Sequence, residues 1–484
     1  MFVLGIDVGT QGARAIIADL EGIVKSEASV PFPPEQFASA AGRFEQDPRV
    51  WRGAMMRAVG QAVSRLVQAG YSAESVVALS VTSTSGTLCL VDDAGQPLGA
   101  AIMYSDLRAS AVAEEVQAAG ADLSIKLGSR FNASFALSKL RWVQQHEPSR
   151  LEQARWLLSP TDLVIGWLTG EWGATDWTNA LKWGYDVVDL QWPEFIGGKL
   201  DLPMDKLPVV VAPGTVIGRV SPAAASETGL APGTLVATGS TDGVASQLAS
   251  GAAAPGDWNS TLGTTLVLKG VTQLLLHDPK GRIYCHRHPD GYWLPGGASS
   301  TGADCLAQRF DAAKLGELNA AALDLSPTDL VIYPLARVGE RLPFDVPHAT
   351  GFTLGETQDE RVLFAAHLEG LAYVERLCYE VVEGLGGQLG DTLYVAGGGA
   401  QSAAGLQIRA DVLGKRLRVP EVAAGAMGAA ILAARGYTGA PVTGLTRRMV
   451  RCRQVIEPRA VYRDAYLERY QRFLTACRER EYVA

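Results

Sequence analysis

The sequence predicts an α/β protein built from two related halves, and three observations carry that reading. Apolar strand-like runs alternate with amphipathic helical ones along the chain. A glycine-threonine turn follows a strand at Asp7-Val8-Gly9-Thr10 and recurs at Thr261-Leu262-Gly263-Thr264, a weak internal repeat. A third glycine cluster, Gly397-Gly398-Gly399, follows the apolar run Leu393 to Ala396 and precedes a helical pattern. A chain of 484 residues is long enough for two domains, each with its own core. The boundary is expected between residues 240 and 256, where Gly251 to Gly256 reads as a linker, giving domains 1–245 and 246–484.

The elements follow in order. Phe2 to Asp7 is an apolar strand, Gly9 to Gly12 turns, Ala13 to Ala18 returns, and Glu21-Gly22 turns again into Ile23 to Val30. Asp47-Pro48 starts a helix, with Asp as N-cap and Pro at the first helical position. Trp51, Met55, Ala58, Ala62 and Leu66 form its apolar stripe. Val76 to Val81 and Thr87 to Val91 read as strands around the loop Thr82 to Gly86. A Pro/Gly-rich zone runs from Pro203 to Gly233, and the chain restarts as a strand at Thr234 to Gly239. A second meander runs through Asp257 to Leu262, Thr265 to Gly270, Ile283 to His288 and Tyr292 to Leu294. Helical patterns cover Arg361 to Glu383 and Ala403 to Leu413.

Composition narrows the function. Apolar residues make up 47% and charged residues 19%, ordinary for a globular protein. The net charge of −8 argues against nucleic acid as a constitutive partner, because phosphate backbones reward clustered Lys and Arg. The six cysteines are scattered without a C-x-x-C pair and read as reduced, mostly buried thiols. With no signal-peptide pattern and no membrane-length apolar run, a cytoplasmic location is expected.

Asp7 ends an apolar strand, where a buried carboxylate is costly unless it is paired or faces a cation. With Gly9, Thr10 and Gly12 it makes a turn able to hold phosphate through N–H groups and a hydroxyl, while Asp7 faces Mg²⁺ through water. The alternative is an Asp that starts an ordinary hairpin turn. No G-x-x-x-x-G-K-[ST] occurs, which argues against a P-loop. Asp242, in Gly239-Ser240-Thr241-Asp242-Gly243, is either the N-cap of a helix beginning near Val244 or a general base at a strand end. A plain βα turn rarely needs three glycines, so Gly397 to Gly399 points to a nucleotide against bare backbone. A GxGxxG dinucleotide site fits that spacing poorly. His286 and His288 share a strand face but lack a third metal ligand nearby, and the Asp290-Gly291 turn gives them a structural reading. The seven tryptophans from Trp142 to Trp192 read as core rather than as a stacking platform. Arg447 to Arg453 reads as a solvated face.

Taken in order, these segments resemble the FGGY carbohydrate kinases, members of the actin-like, ribonuclease-H-like ATPase fold. Gly5-Ile6-Asp7-Val8-Gly9-Thr10 with Arg14 is similar to the family's first phosphate loop, and Glu45-Gln46-Asp47-Pro48 with Trp51 to the stretch before its first helix. Thr169-Gly170-Glu171 with Ala174-Thr175-Asp176 matches a Thr-Gly-Glu and Ala-Thr-Asp pair. Gly239 to Asp242 resembles the catalytic segment, Gly263-Thr264-Thr265 the second phosphate loop, and Gly297 to Gly302 the stretch beside the nucleotide. Gly397 to Ser402, with Gln407 and Ala410-Asp411, resembles the adenosine signature, followed by Gly425 to Ala430.

The resemblance implies two actin-like domains with a central cleft, ATP, Mg²⁺ and phosphorylation of a sugar or polyol hydroxyl. It makes Asp242 the catalytic base, and Asp7, Ser85, Asp106 and Asp242 the sugar-side residues, with Asp7 also at the metal. It makes Thr10, Gln11, Arg14, Gly263, Thr264, Gly302, Gly398 and Gly399 the ATP-side residues. The sugar and ATP are the expected partners, with a homodimer left open. Two departures stand out. Gly405 occupies the place of a Trp usual in the adenosine signature, and the sugar-side loop reads Thr82-Ser83-Thr84-Ser85-Gly86-Thr87. Glycerol kinases have Arg-Glu there and xylulokinases Met-His. With Tyr104 to Ala109, the loop is most similar to the plant and cyanobacterial type of D-ribulose kinase. D-Ribulose, giving the 5-phosphate, is therefore the expected acceptor, and D-xylulose or another pentulose or polyol the alternative. From another class, the same fold serves actin-like filaments and chaperone-type ATPase switches.

Overall fold

The computed structural model describes residues 1–37, 39–40 and 42–483. Two compact units divide the chain: Met1–Ala249 with His286–Gly291 and Ala424–Arg451, and Ser250–Cys285 with Tyr292–Ala423 and Cys452–Ala484.

The first unit holds a six-stranded sheet. Its strands are β1 (Phe2–Val8), β2 (Gly12–Asp19), β3 (Val24–Pro31), β4 (Val76–Ser83), β5 (Val216–Arg219) and β6 (Leu235–Thr241), in the order β5-β6-β4-β1-β2-β3. The first three form the expected antiparallel meander, and β4 and β6 continue it in parallel. One face carries the Pro48–Gln68 helix. Asp47 caps it by accepting the Arg49 N–H at 2.9 Å, and Trp51, Met55, Ala58, Ala62 and Leu66 are all buried. The other face carries the Gly425–Thr438 helix, whose small residues lie directly on β1, β4 and β6.

The second unit repeats the plan. Its strands are β7 (Trp258–Leu262), β8 (Leu266–Gly270), β9 (Tyr284–Arg287), β10 (Trp293–Ala298), β11 (Thr392–Ala396), β12 (Arg416–Pro420) and β13 (Cys452–Ile456). The order is β9-β10-β8-β7-β11-β12-β13. Strands β7, β8 and β10 form an antiparallel meander, β11 and β12 extend it in parallel, and β13 closes it antiparallel, as β5 does in the first sheet. Gly9-Thr10 joins β1 to β2, and Gly263-Thr264 joins β7 to β8, so the weak sequence repeat marks equivalent turns.

The Pro/Gly-rich zone Pro203–Gly233 contains regular elements. It holds the strand Val209–Val211, β5 and the Pro222–Thr228 helix. Pro222 there occupies a first helical position after the Ser221 cap, and Gly229 ends the helix in the left-handed conformation, so these residues punctuate elements rather than break them. Of the tryptophans, Trp142 and Trp183 are buried and Trp156, Trp167 and Trp172 pack against the first core. Among the described residues, no helix is long and apolar enough to cross a membrane.

Candidate active site

In the first unit, the Gly9–Gly12 turn closes on itself through Gly9 N–H to Gly12 C=O at 3.0 Å. Gln46 pins it from outside: its Nε2 donates to Thr10 C=O at 2.9 Å, while its Oε1 accepts from Trp51 Nε1 at 2.8 Å. That chain is the physical content of the Gln46-Asp47-Pro48 and Trp51 pattern. Gln11 is exposed, and Arg14 lies opposite Asp7 across the β1–β2 pair. Asp7 Oδ1 is buried without a hydrogen-bond partner. Burial and the charge of Asp242 push the Asp7 carboxyl up to about 6, against the opposing pull of Arg14.

Asp242 is exposed at the end of β6, and the helix Asp242–Ser250 begins at this residue rather than near Val244. Its Oδ1 accepts the Gly243 N–H at 2.7 Å. Ser85 sits in the loop after β4, its Oγ buried without a partner. Beside it Gly86 adopts φ of +79°, and a Cβ there would lie 2.8 Å from Lys182 Cδ. Asp106 is fully buried and saturated: Oδ2 accepts from Phe44 N at 2.6 Å, and Arg108 supplies N, Nε and Nη2. Burial raises its carboxyl, yet the Arg108 guanidinium and these N–H groups hold it below the usual range. Its observed contacts are those of a loop tie.

Two lysines escaped the sequence reading. Burial lowers the pKa of Lys182, and Asp242 opposes that effect, which puts an ammonium within electrostatic reach of the carboxylate. Lys139 is completely buried, donates to Ala133 C=O at 2.8 Å, and is pushed down to about 7 by burial and the Lys182 charge. The available signal was periodicity: Ala136, Leu140 and Val143 form a buried helical stripe, and position 139 falls within it.

In the second unit, Gly263 N–H bonds Thr265 C=O at 3.0 Å, and Gly263 C=O accepts from Ala303 N at 2.8 Å. A Cβ on Gly302 would lie 2.2 Å from Thr264 O, so Gly302 lets the Gly263–Thr265 turn cross it. The three late glycines divide their work. Gly397 takes φ of +83°, Gly399 packs on the Leu262 side chain, and Gly398 alone would carry a Cβ into open space. Gly405 accommodates the cap of the next helix: Ser402 Oγ accepts the Gly405 N–H at 2.8 Å and donates to Asn319 Oδ1 at 2.6 Å.

Among the described residues, no group of three His, Cys, Asp or Glu side chains is arranged to hold a metal. His288 instead shapes a turn, accepting the Asp290 N–H on Nδ1 at 2.9 Å, and Asp290 binds Arg435 and the N–H groups of Val442 and Thr443. The orphaned Asp7 oxygen, facing a second carboxylate's charge, fits Mg²⁺, which commonly keeps several waters and takes one or two carboxylates plus phosphate oxygens.

The N-terminal domain profile of the FGGY family of carbohydrate kinases matches residues 2–249, and the C-terminal domain profile matches residues 259–437. The chain belongs to the FGGY family of carbohydrate kinases. It is an ATP-dependent phosphotransferase with a two-domain α/β fold. The kinase is 31% identical over 455 residues to a xylulose kinase of Streptomyces rubiginosus, covering 92% of this chain and 90% of that one. It is 28% identical over 427 residues to the xylulose kinase of Escherichia coli, covering 86% and 85%. The crystal structure of xylulose kinase from Rhodospirillum rubrum superposes with a TM-score of 0.86 at 25% identity, covering 99% of each chain.

Proposed function

We propose that this kinase phosphorylates the terminal hydroxyl of a pentulose, with D-xylulose as the preferred acceptor. The observation that carries this reading is the match, over most of both chains, to proteins described as xylulose kinases. D-Ribulose, to which the Ser85 loop pointed, is the second reading, favoured by the unpartnered buried hydroxyl of Ser85. A polypeptide-stimulated ATPase switch has no such support.

In the proposed mechanism Asp242 accepts the proton of the attacking sugar hydroxyl. The new bond forms between that oxygen and the γ-phosphorus, and the bond from γ-phosphorus to the bridging oxygen breaks to release ADP. Thr10, Arg14, Gly263 and Thr264 would bind phosphate oxygens, and Gly398 would face the purine. Mg²⁺ held through Asp7 would neutralise charge on the phosphates. Ser85 would hydrogen-bond the sugar, with Asp106 fixing the loops beside it and Lys182 supplying a cation near Asp242.

A panel of D-xylulose, D-ribulose, other ketoses, aldoses and polyols, each assayed for ATP-dependent phosphorylation, tests the reading. The highest kcat/KM is expected for D-xylulose. A lead for D-ribulose selects the second reading, and a preference for an aldose or polyol overturns both.

A further inference from the structure

The strand that carries Asp242 is irregular at its end. Register between β6 and β4 shifts between Ala237 and Ser240, which removes part of the backbone ladder just before the proposed base. Buried hydroxyls bond carbonyls along this stretch. Ser80 Oγ donates to Thr238 C=O at 3.0 Å, and Thr82 Oγ1 donates to Ser240 C=O at 2.9 Å. Both come from β4. The N–H of Thr241, on the same trans peptide as the Ser240 carbonyl, points the other way and donates to Thr178 Oγ1 at 3.0 Å, across 63 residues of sequence.

Thr178 is itself held. Its hydroxyl donates to Asp176 Oδ1 at 2.5 Å, and Asp176 also accepts from Thr178 N at 2.8 Å, Asn179 N at 3.1 Å and Asn179 Nδ2 at 2.6 Å. Both Asp176 and Thr178 are completely buried. A backbone N–H can only donate, so the Thr178 oxygen accepts from Thr241 and its own proton goes to Asp176 Oδ1. The chain Asp176–Thr178–Thr241 thus ends on the Ser240–Thr241 peptide, one residue before Asp242.

We propose that Thr178, oriented by Asp176, is a positioning residue for Asp242, fixing the backbone from which the base reaches the sugar hydroxyl. The proposal rests on Asp242 being that base. Thr178 is fully buried and its hydroxyl is committed to Asp176 and Thr241, so its removal should slow the chemical step without weakening either substrate. A small displacement of a positioned group is enough for a large rate loss.

The test compares Thr178→Val, which keeps shape and removes the hydroxyl, with Thr178→Ser, Asp242→Asn and the double variant Thr178→Val/Asp242→Asn. Thr178→Val should lower kcat about 10- to 100-fold with both KM values nearly unchanged, and Thr178→Ser should recover most of kcat. In the Asp242→Asn background, Thr178→Val should add little, because the group being positioned is gone. If Thr178→Val does not fold, Asp176→Asn, of equal volume, is read in the same way. Wild-type kcat in Asp242→Asn would refute the base assignment. A slow Asp242→Asn enzyme with wild-type kcat in Thr178→Val would instead refute the positioning role, as would an equal loss from Thr178→Val in both backgrounds.

Discussion

Gly5 lies so close beneath Ala426 that a methyl group at residue 5 would fall 1.7 Å from the Ala426 carbonyl oxygen. The central strand of the first sheet therefore meets a helix formed near the other end of the sequence backbone to backbone. Gly428 repeats the contact against Ala245 O, where a Cβ would lie at 2.0 Å. Neither neighbour is a flexible side chain that could move aside.

Gly5→Ala is expected to cost at least about 3 kcal/mol, at or above the upper end of ordinary overpacking. Gly198→Ala, whose added methyl would meet nothing within 4 Å, should change stability by no more than about 0.5 kcal/mol. Urea denaturation of the two variants checks this. Equal midpoints would remove the packing argument.

Asp242→Asn should lower kcat by about 10²–10⁴-fold, the usual worth of a positioned base, while ATP affinity persists. Steady-state kinetics together with a nucleotide-binding titration separate the two effects. Unaltered turnover would take Asp242 out of the mechanism.

Asp7 ties stability to pH. Its carboxyl titrates at about 6 in the folded protein against 3.8 ordinarily, chiefly through burial. The folded state binds this proton more tightly, so the contribution is fully favourable below 3.8 and is lost as pH rises through 6. The loss reaches about 3 kcal/mol at most, from 1.36 kcal/mol per pH unit. Asp7→Asn should therefore be more stable than the parent above pH 6 without ligands, with the gap closing toward pH 4, and should lose Mg²⁺-dependent activity. Parallel curves of Tm against pH would show that Asp7 is not strained in this way.

Ser85→Ala tests the sugar-side loop. Losing a hydrogen bond to a buried hydroxyl costs roughly 1–3 kcal/mol, or about 5- to 150-fold in kcat/KM for the best ketose. KM for ATP should hardly move. Full kcat/KM in the variant would make Ser85 a turn residue only.

What the sequence disclosed was what neighbouring residues decide. The Asp47-Pro48 helix start, the Trp51-to-Leu66 stripe and the paired Gly-Thr turns depend on a few consecutive residues, and the fold places them as expected. The FGGY family was legible because its motifs are strung along the chain in order. Contacts across long separations were not. Nothing in the stretch around Lys182 announces that it packs against Gly86, and nothing near Thr178 announces Thr241. Asp106 read as a sugar ligand because its neighbours in sequence fit, whereas in space Phe44 and Arg108 occupy both its oxygens. The Ser85 loop pointed to ribulose, while the similarity to xylulose kinases spans nearly the whole chain.

The covering of the first sheet by the Gly425–Thr438 helix has a consequence for how the protein is made. All six strands of that sheet leave the ribosome before residue 250, but the helix that fits against Gly5 follows after Gly425. At about 5–20 residues per second, the interval between the end of β6 at Thr241 and Gly425 is on the order of 10–40 s. Throughout it one apolar face of β1, β4 and β6 lacks its final partner and is open to mispairing or to a chaperone. A fragment ending at Ala249 would contain every strand of its sheet and still leave that face bare.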